Sequence, residues 1–188
     1  MRGLRGPALA FGWAVAEATV WPIMPDAVLV PLALHRPRSW WQYVLAAMLG
    51  TTVGGWLSYR HARQHPHRHL VERLPLVRPA MIGAAAGWLE EHGPRGALRQ
   101  TATGVPFKVF ARIAGMRRMR LVPFLVWAVA GRVARFVLLA GAAAMLSRTF
   151  PGLVARRFWL LTLLWSIGFG GALWRTVRFW EDCAESRR

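Results

Sequence analysis

VWPIMPDAVLVP, residues 20–31, sets Asp26 and three prolines inside a run that otherwise reads as hydrocarbon, with Glu17 nine positions upstream. Acids among residues that leave water need a reason, and the flanking chain supplies the frame. The 188 residues are 55% hydrophobic with 11 tryptophans, and 25 Lys+Arg against 8 Asp+Glu give a formal net charge of +17. Length alone predicts one domain. The basic balance raises a nucleic-acid binder, and the placement of the apolar residues rejects it. Residues 124–146 (FLVWAVAGRVARFVLLAGAAAML) and 158–174 (FWLLTLLWSIGFGGALW) are apolar around the whole helix, more than a soluble domain this small could bury. Both read as membrane crossings. A third crossing, 40–59 (WWQYVLAAMLGTTVGGWLSY), meets the length of about 20 residues that the hydrocarbon core demands. Trp40, Trp41 and Trp56 near its ends, and Trp159, Trp174 and Trp180 near those of the last crossing, suit the headgroup level.

The N-terminal MRGLRG followed by PALAFGWAVAEA has the look of a cleavable signal, but the apolar run continues past Glu17 to Leu34, so a retained segment is expected. The single Cys183 excludes an intramolecular disulfide and leaves the redox compartment open. The block 60–79 (RHARQHPHRHLVERLPLVRP) carries Arg60, Arg63, Arg68, Arg73 and Arg78 and is expected on the cytoplasmic side. If 40–59 crosses once, Arg36 and Arg38 face outside, and Arg117, Arg118 and Arg120 share the side of the 60–79 loop. Residues 81–115 must then enter and return. Residues 121–146 lead out and 158–174 lead back to a polar tail, 175–188, whose Arg175, Arg178, Arg187 and Arg188 are cytoplasmic. Arg148, Arg156 and Arg157 in the outer loop run against this scheme.

Two regions are interrupted alike. The first, 8–34, breaks at PIMPD; the second, 81–115, breaks at Gly104 and Pro106 in GALRQTATGVPFKVFARIAG (96–115). Broken helices persist at membrane depth only where protein or a wet cavity satisfies the freed backbone groups, and a matched pair of breaks predicts an internal repeat with its site at the breaks. The expected fold is therefore an all-α integral membrane protein, residues 1–188 as one domain, in which transmembrane helices accompany two broken segments of an internal repeat.

Six of the eight acids lie in polar surroundings: Glu72, Glu90, Glu91, Glu181, Asp182 and Glu185. Glu17 and Asp26 do not. A charge at the centre of a spanning helix costs roughly 2.5–3.5 kcal/mol on insertion scales, so it pairs or faces a polar cavity. Arg132 and Arg135, one turn apart in AGRVARF, are the natural partners, with capping and snorkelling as the structural alternatives. Lys108, the one lysine beside 24 arginines, adjoins the second break. His61, His65, His67 and His69 lack a carboxylate or thiolate at zinc-ligand spacing and read as a solvated loop facing anionic lipid, so no metal or other cofactor is expected. The pattern GTTVGG marks a helix contact, within or between chains.

These residues resemble a family. A glutamate, the PIMPD break, GTTVGGWLSYR, then HG, PFKVFARIAG and F-x(6)-GRVARF, over roughly residues 10–145, are similar to the DedA proteins of the VTT, or SNARE-associated Golgi protein, superfamily. The resemblance implies re-entrant hairpins in an inverted repeat, proton-motive-force-dependent recycling of undecaprenyl phosphate in bacterial members, and lipid scrambling in eukaryotic ones. It matches Glu17 and Asp26 to the family's embedded acids and Arg132 and Arg135 to its GRxxR arginines. This chain departs at TATGVPFK, where many members read RFxPxPyK: Thr101, Ala102 and Gly104 stand there, without the expected cation and first proline.

The expected activity is translocation of a lipid phosphate across the bacterial inner membrane. Arg132, Arg135 and Lys108 receive the phosphate oxygens, while Glu17 and Asp26 compete for the same arginines and accept protons. A passive scramblase or an envelope scaffold is the alternative. A membrane lipid phosphatase lacks support, because Ser58, Ser147 and Ser166 have no base partner in the pattern.

Overall fold

The computed structural model describes residues 5–66, 71 and 73–185. His67, Arg68, His69, Glu72, Arg187 and Arg188 lie outside the described residues. Regular structure among the described residues is helical throughout, with no strand. Helix α1 spans Arg5–Thr19 and α2 Asp26–His35; a 3-10 turn at Pro37–Ser39 leads into α3, Trp40–Gln64. Helix α4 spans Pro79–His92, a 3-10 segment Gly93–Leu98 follows, and then α5 (Arg99–Thr103), α6 (Phe107–Met116), α7 (Leu121–Thr149) and α8 (Pro151–Glu185).

Prolines and glycines place the boundaries. Pro22 and Pro25 keep α1 from running into α2 because neither can donate to the helix ladder. Pro79 and Pro151 open α4 and α8, where a missing N–H is harmless. Gly93, at φ 58°, ends α4, and Gly104, at φ 70°, ends α5. Helix α8 bends at Arg157, whose φ of −116° and ψ of 18° leave the helical basin.

Helix α3 is the central post. A Cβ on Gly50 or Gly54 would strike α1 at Phe11 and Ala14, or at Val15 and Ala18, so the two glycines let the α1 and α3 backbones touch. The contacts rise in register, and Ser58 Oγ donates to Ala18 O at 2.6 Å, so α1 runs parallel to α3. Helix α2 then returns to the start of α3, where Ser147 Oγ donates to Leu34 O (2.9 Å) and Arg148 Nη2 to Pro37 O (3.0 Å). The second broken segment belongs to the opposite end of the post. Arg117, just past α6, donates to Ala86 O (2.9 Å) and pairs with Glu90 (3.0 Å), and Tyr59 Oη donates to Met119 O at 2.5 Å. Helix α7 thus begins beside the end of α3 and finishes beside its start. Helix α8 runs back, from His35 against Phe158 (5.6 Å between rings) to an Arg78–Glu181 ion pair.

Two helices, Leu121–Thr149 and the Pro151–Cys183 stretch of α8, are long and apolar enough to cross a membrane. The outer side of α8 is open over Trp159, Leu163, Leu164, Ile167, Trp174 and Phe179, an apolar expanse that water does not tolerate on a small protein. Helix α3 has the length to cross but is the less apolar post between other helices, rich in Ala and Gly where it is buried. Residues 175–185, expected as a polar tail, continue α8 as helix, with Val177 and Trp180 buried.

Candidate functional site

The two breaks meet beside α7. Glu17 lies in the last turn of α1, Asp26 opens α2 immediately after Pro25, and Arg132 and Arg135 project from α7. Arg132 Nη1 and Nη2 donate to Glu17 Oε2 and Oε1 at 2.7 and 3.0 Å, a two-pronged pair. The side chains are 5% and 2% exposed. Arg132 Nε also donates to Gln100 Oε1 (3.3 Å), and Gln100 Nε2 donates to Ala128 O (2.7 Å), so α5 holds the guanidinium from behind. The Phe107 ring lies 4.9 Å from the guanidinium carbon, in a cation–π arrangement.

Asp26 and Arg135 form a second, looser pair: Nη2 to Oδ2 at 2.6 Å, with Arg135 25% exposed and Asp26 3%. Arg135 Nη2 also reaches Met24 Sδ at 3.3 Å. The other carboxylate oxygen, Asp26 Oδ1, is buried with no hydrogen-bond partner among the described residues. Asp26 and Arg135 line a cavity of about 890 Å³ enclosed by the PIMPD break, the Thr101–Gly104 stretch, α7 and the last half of α8. Arg175 is the third charged residue in its wall; Leu139, Phe169, Leu173 and Phe179 make much of the remainder apolar. Arg175 makes no ion pair with any described residue.

Lys108 sits elsewhere. It is 1% exposed, and its Nζ donates to Val20 O (3.1 Å) and Trp21 O (2.9 Å), the carbonyls freed where α1 stops. Arg112 Nη2 donates to Thr19 O (3.1 Å), and Trp13 Nε1 to Ile23 O (3.1 Å). Two cations from α6 thus close the negative end of the α1 dipole, and the second broken segment supplies what the first lacks.

Four of the five residues singled out in the sequence therefore meet as two acid–arginine pairs, while Lys108 ends on the backbone carbonyls of the first break. Gln100, Phe107, Arg112 and Arg175 belong to the same region without having been singled out. Gln100 and Arg112 each lay within a quoted motif, as polar residues close to a break, and that was their only signal. Thr101, Ala102 and Gly104, where a cation was expected, line the cavity that Arg175 also lines. No group of three or more His, Cys, Asp or Glu capable of holding a metal ion occurs among the described residues.

Two helices long and apolar enough to span, beside charged pairs buried at helix breaks, point to a membrane protein. The VTT domain family model matches residues 13–145, and the chain belongs to that family, as its motifs indicated. An uncharacterised protein of Haemophilus influenzae is 28% identical over 130 residues, covering 68% of this chain and 67% of that protein. An uncharacterised protein of Histophilus somni is 26% identical over 145 residues, covering 71% and 70%. No solved structure matches significantly. The acid–arginine pairs and Lys108 fall inside the matched region; Arg175 and the whole of α8 fall outside it.

Proposed function

We propose that the chain is a proton-coupled carrier that moves the phosphate head of a membrane lipid, of the undecaprenyl phosphate kind, across the bacterial inner membrane. It makes and breaks no covalent bond in doing so. In this reading, residues 8–34 and 81–115 are re-entrant hairpins of an inverted repeat, entering from opposite faces, while 40–59, 121–146 and 158–174 cross. The observation that carries it is the cavity: an acid–arginine pair and a further arginine, Arg175, in an otherwise largely apolar wall. That wall suits an amphiphile with an anionic head and a hydrocarbon body.

Arginine keeps its charge throughout and presents a planar fork to phosphate as readily as to carboxylate. Asp26 holds Arg135 until a proton reaches its carboxylate; Arg135 is then released to the phosphate, and loss of the proton to the other side restores the pair. The enclosed Glu17–Arg132 pair stands behind it as the second charge exchange along the path. Lys108 holds the break in shape, and joins phosphate only if the carbonyls of Val20 and Trp21 let it go.

The test is transport of a lipid phosphate by the full chain in proteoliposomes, with and without an imposed pH gradient. The gradient is expected to speed head-group movement. Asp26→Asn and Arg135→Ala are expected to abolish it in protein that still inserts. Movement indifferent to the gradient marks a passive scramblase, movement that survives both substitutions removes the pair from the mechanism, and release of inorganic phosphate marks a phosphatase.

A further inference from the structure

Away from that cavity, at the end of α3, a second hollow of about 450 Å³ is lined by Trp56, Tyr59, Arg60, Arg63, Gln64, Arg118 and Leu121. Three of its seven lining residues are arginines, and none pairs with a carboxylate among the described residues. Like charges around one hollow repel unless an anion sits among them. The arrangement is also enforced. Arg118 has φ 51°, the left-handed region that a residue with a Cβ avoids, and such strain persists where surrounding contacts over-determine it. Those contacts are present: Tyr59 Oη on Met119 O, Met119 N on Ala114 O (3.0 Å), and Gly115 with its bare Cα against Tyr59 O. Tyr59 therefore pins the α6–α7 turn to α3 and turns Arg118 into the hollow where Arg60 and Arg63 already stand.

The depth fits a headgroup. The apolar part of α3 ends at Tyr59 and RHARQ follows, while Trp56 stacks with the Arg60 guanidinium at 5.4 Å, an aromatic at the level where tryptophan settles in membranes. We propose that Arg60, Arg63 and Arg118 form a binding site for the phosphate of an anionic membrane lipid at the face bearing the 60–79 block. The site is separate from the transport cavity, and it holds a resident lipid against the turn that starts α7. Because Arg132 and Arg135 stand on α7, the bound lipid steadies the helix that carries both acid–arginine pairs.

The full chain in phosphatidylcholine nanodiscs, titrated with phosphatidylglycerol and read by native mass spectrometry and by thermal unfolding, tests this. Retention of phosphatidylglycerol is expected to fall roughly fivefold for each arginine converted to glutamine at 60, 63 and 118, in line with the attraction of one basic side chain to an anionic leaflet. Arg118→Gly separates strain from binding: relief of the left-handed residue raises the melting temperature in pure phosphatidylcholine, while lipid retention drops as it does for Arg118→Gln. Arg118→Lys retains most of the binding. Equal retention by the triple glutamine variant and the parent overturns the site. A melting shift with inorganic phosphate as large as that with phosphatidylglycerol overturns its assignment to a lipid. Each readout is binding, so neither result depends on whether the chain transports.

Discussion

Two acid–arginine pairs stand one helical turn apart on α7, and their surroundings differ. Glu17–Arg132 is sealed at 2% and 5% exposure, two-pronged, and backed by Gln100 and Phe107. Asp26–Arg135 is joined by one contact, leaves Asp26 Oδ1 without a partner among the described residues, and opens on the cavity through an arginine 25% exposed. The motif GRVARF treats its two arginines alike; the fold makes one a tie between α1 and α7 and leaves the other reachable. Enclosure decides which charge can exchange partners quickly, because an ion without its partner in a dry site is costly and one at a wet wall can draw on water.

The sharpest way to break this distinction is to remove one arginine at a time. Arg132→Ala strands Glu17 in a dry site and is expected to cost about 3–5 kcal/mol, read as a large fall in the melting temperature of the detergent-solubilised protein. Arg135→Ala should lose less than half of that, since its acid faces the cavity. Replacing both sealed partners, Glu17→Leu with Arg132→Met, should recover much of the stability while transport stays lost, because a well-packed apolar pair stands in for a buried ion pair but not for its chemistry. Equal losses from Arg132→Ala and Arg135→Ala would falsify the division into a sealed and an open pair.

A smaller effect is expected where α8 closes the open pair's cavity. Gly104 sits at φ 70°, and a Cβ there would strike the Thr176 side chain; Trp180 Nε1 fixes the next turn of α8 by donating to Thr103 O at 3.1 Å. Gly104→Ala should cost about 1–2 kcal/mol from the left-handed backbone alone, and it should also push α8 off the cavity. A cysteine-reactive probe at Asp26→Cys should then react faster, while one at Glu17→Cys is unchanged. Faster labelling at both positions means that the two pairs share one gate.

How much of this was legible in the sequence follows from what each residue meets. Glu17, Asp26, Arg132 and Arg135 announced themselves because charges among apolar neighbours have few physical excuses. Which acid meets which arginine was not legible, since it depends on α1 and α2 folding back on each other at the break beside α7. Lys108 and Arg112 end on the carbonyls of Thr19, Val20 and Trp21, and backbone carbonyls carry no letter in the sequence. The helices Leu121–Thr149 and Pro151–Cys183, long and apolar enough to cross, were visible as apolar runs. The helical course of 175–185 was hidden by its charges, because what holds it is Trp180 and Thr176 against a break some seventy residues earlier.

Arg175 is where that hidden contact bears on function, and the smallest expected effect on stability. It is exposed, has no ion-pair partner among the described residues, and lines the cavity with Asp26 and Arg135, beside a stretch whose own residues Thr101, Ala102 and Gly104 are uncharged. If the open pair is the one that trades carboxylate for phosphate, an extra cation in its cavity adds to the pull on the head, and Arg175→Gln should slow lipid-phosphate transport about tenfold while shifting stability by no more than about 0.5 kcal/mol. Arg175→Lys should restore part of the rate, since a point charge keeps the attraction without the fork. Arg175→Gln at full rate, beside Arg135→Ala without transport, would leave the open pair acting alone and make α8 a wall with no electrostatic part in holding the head.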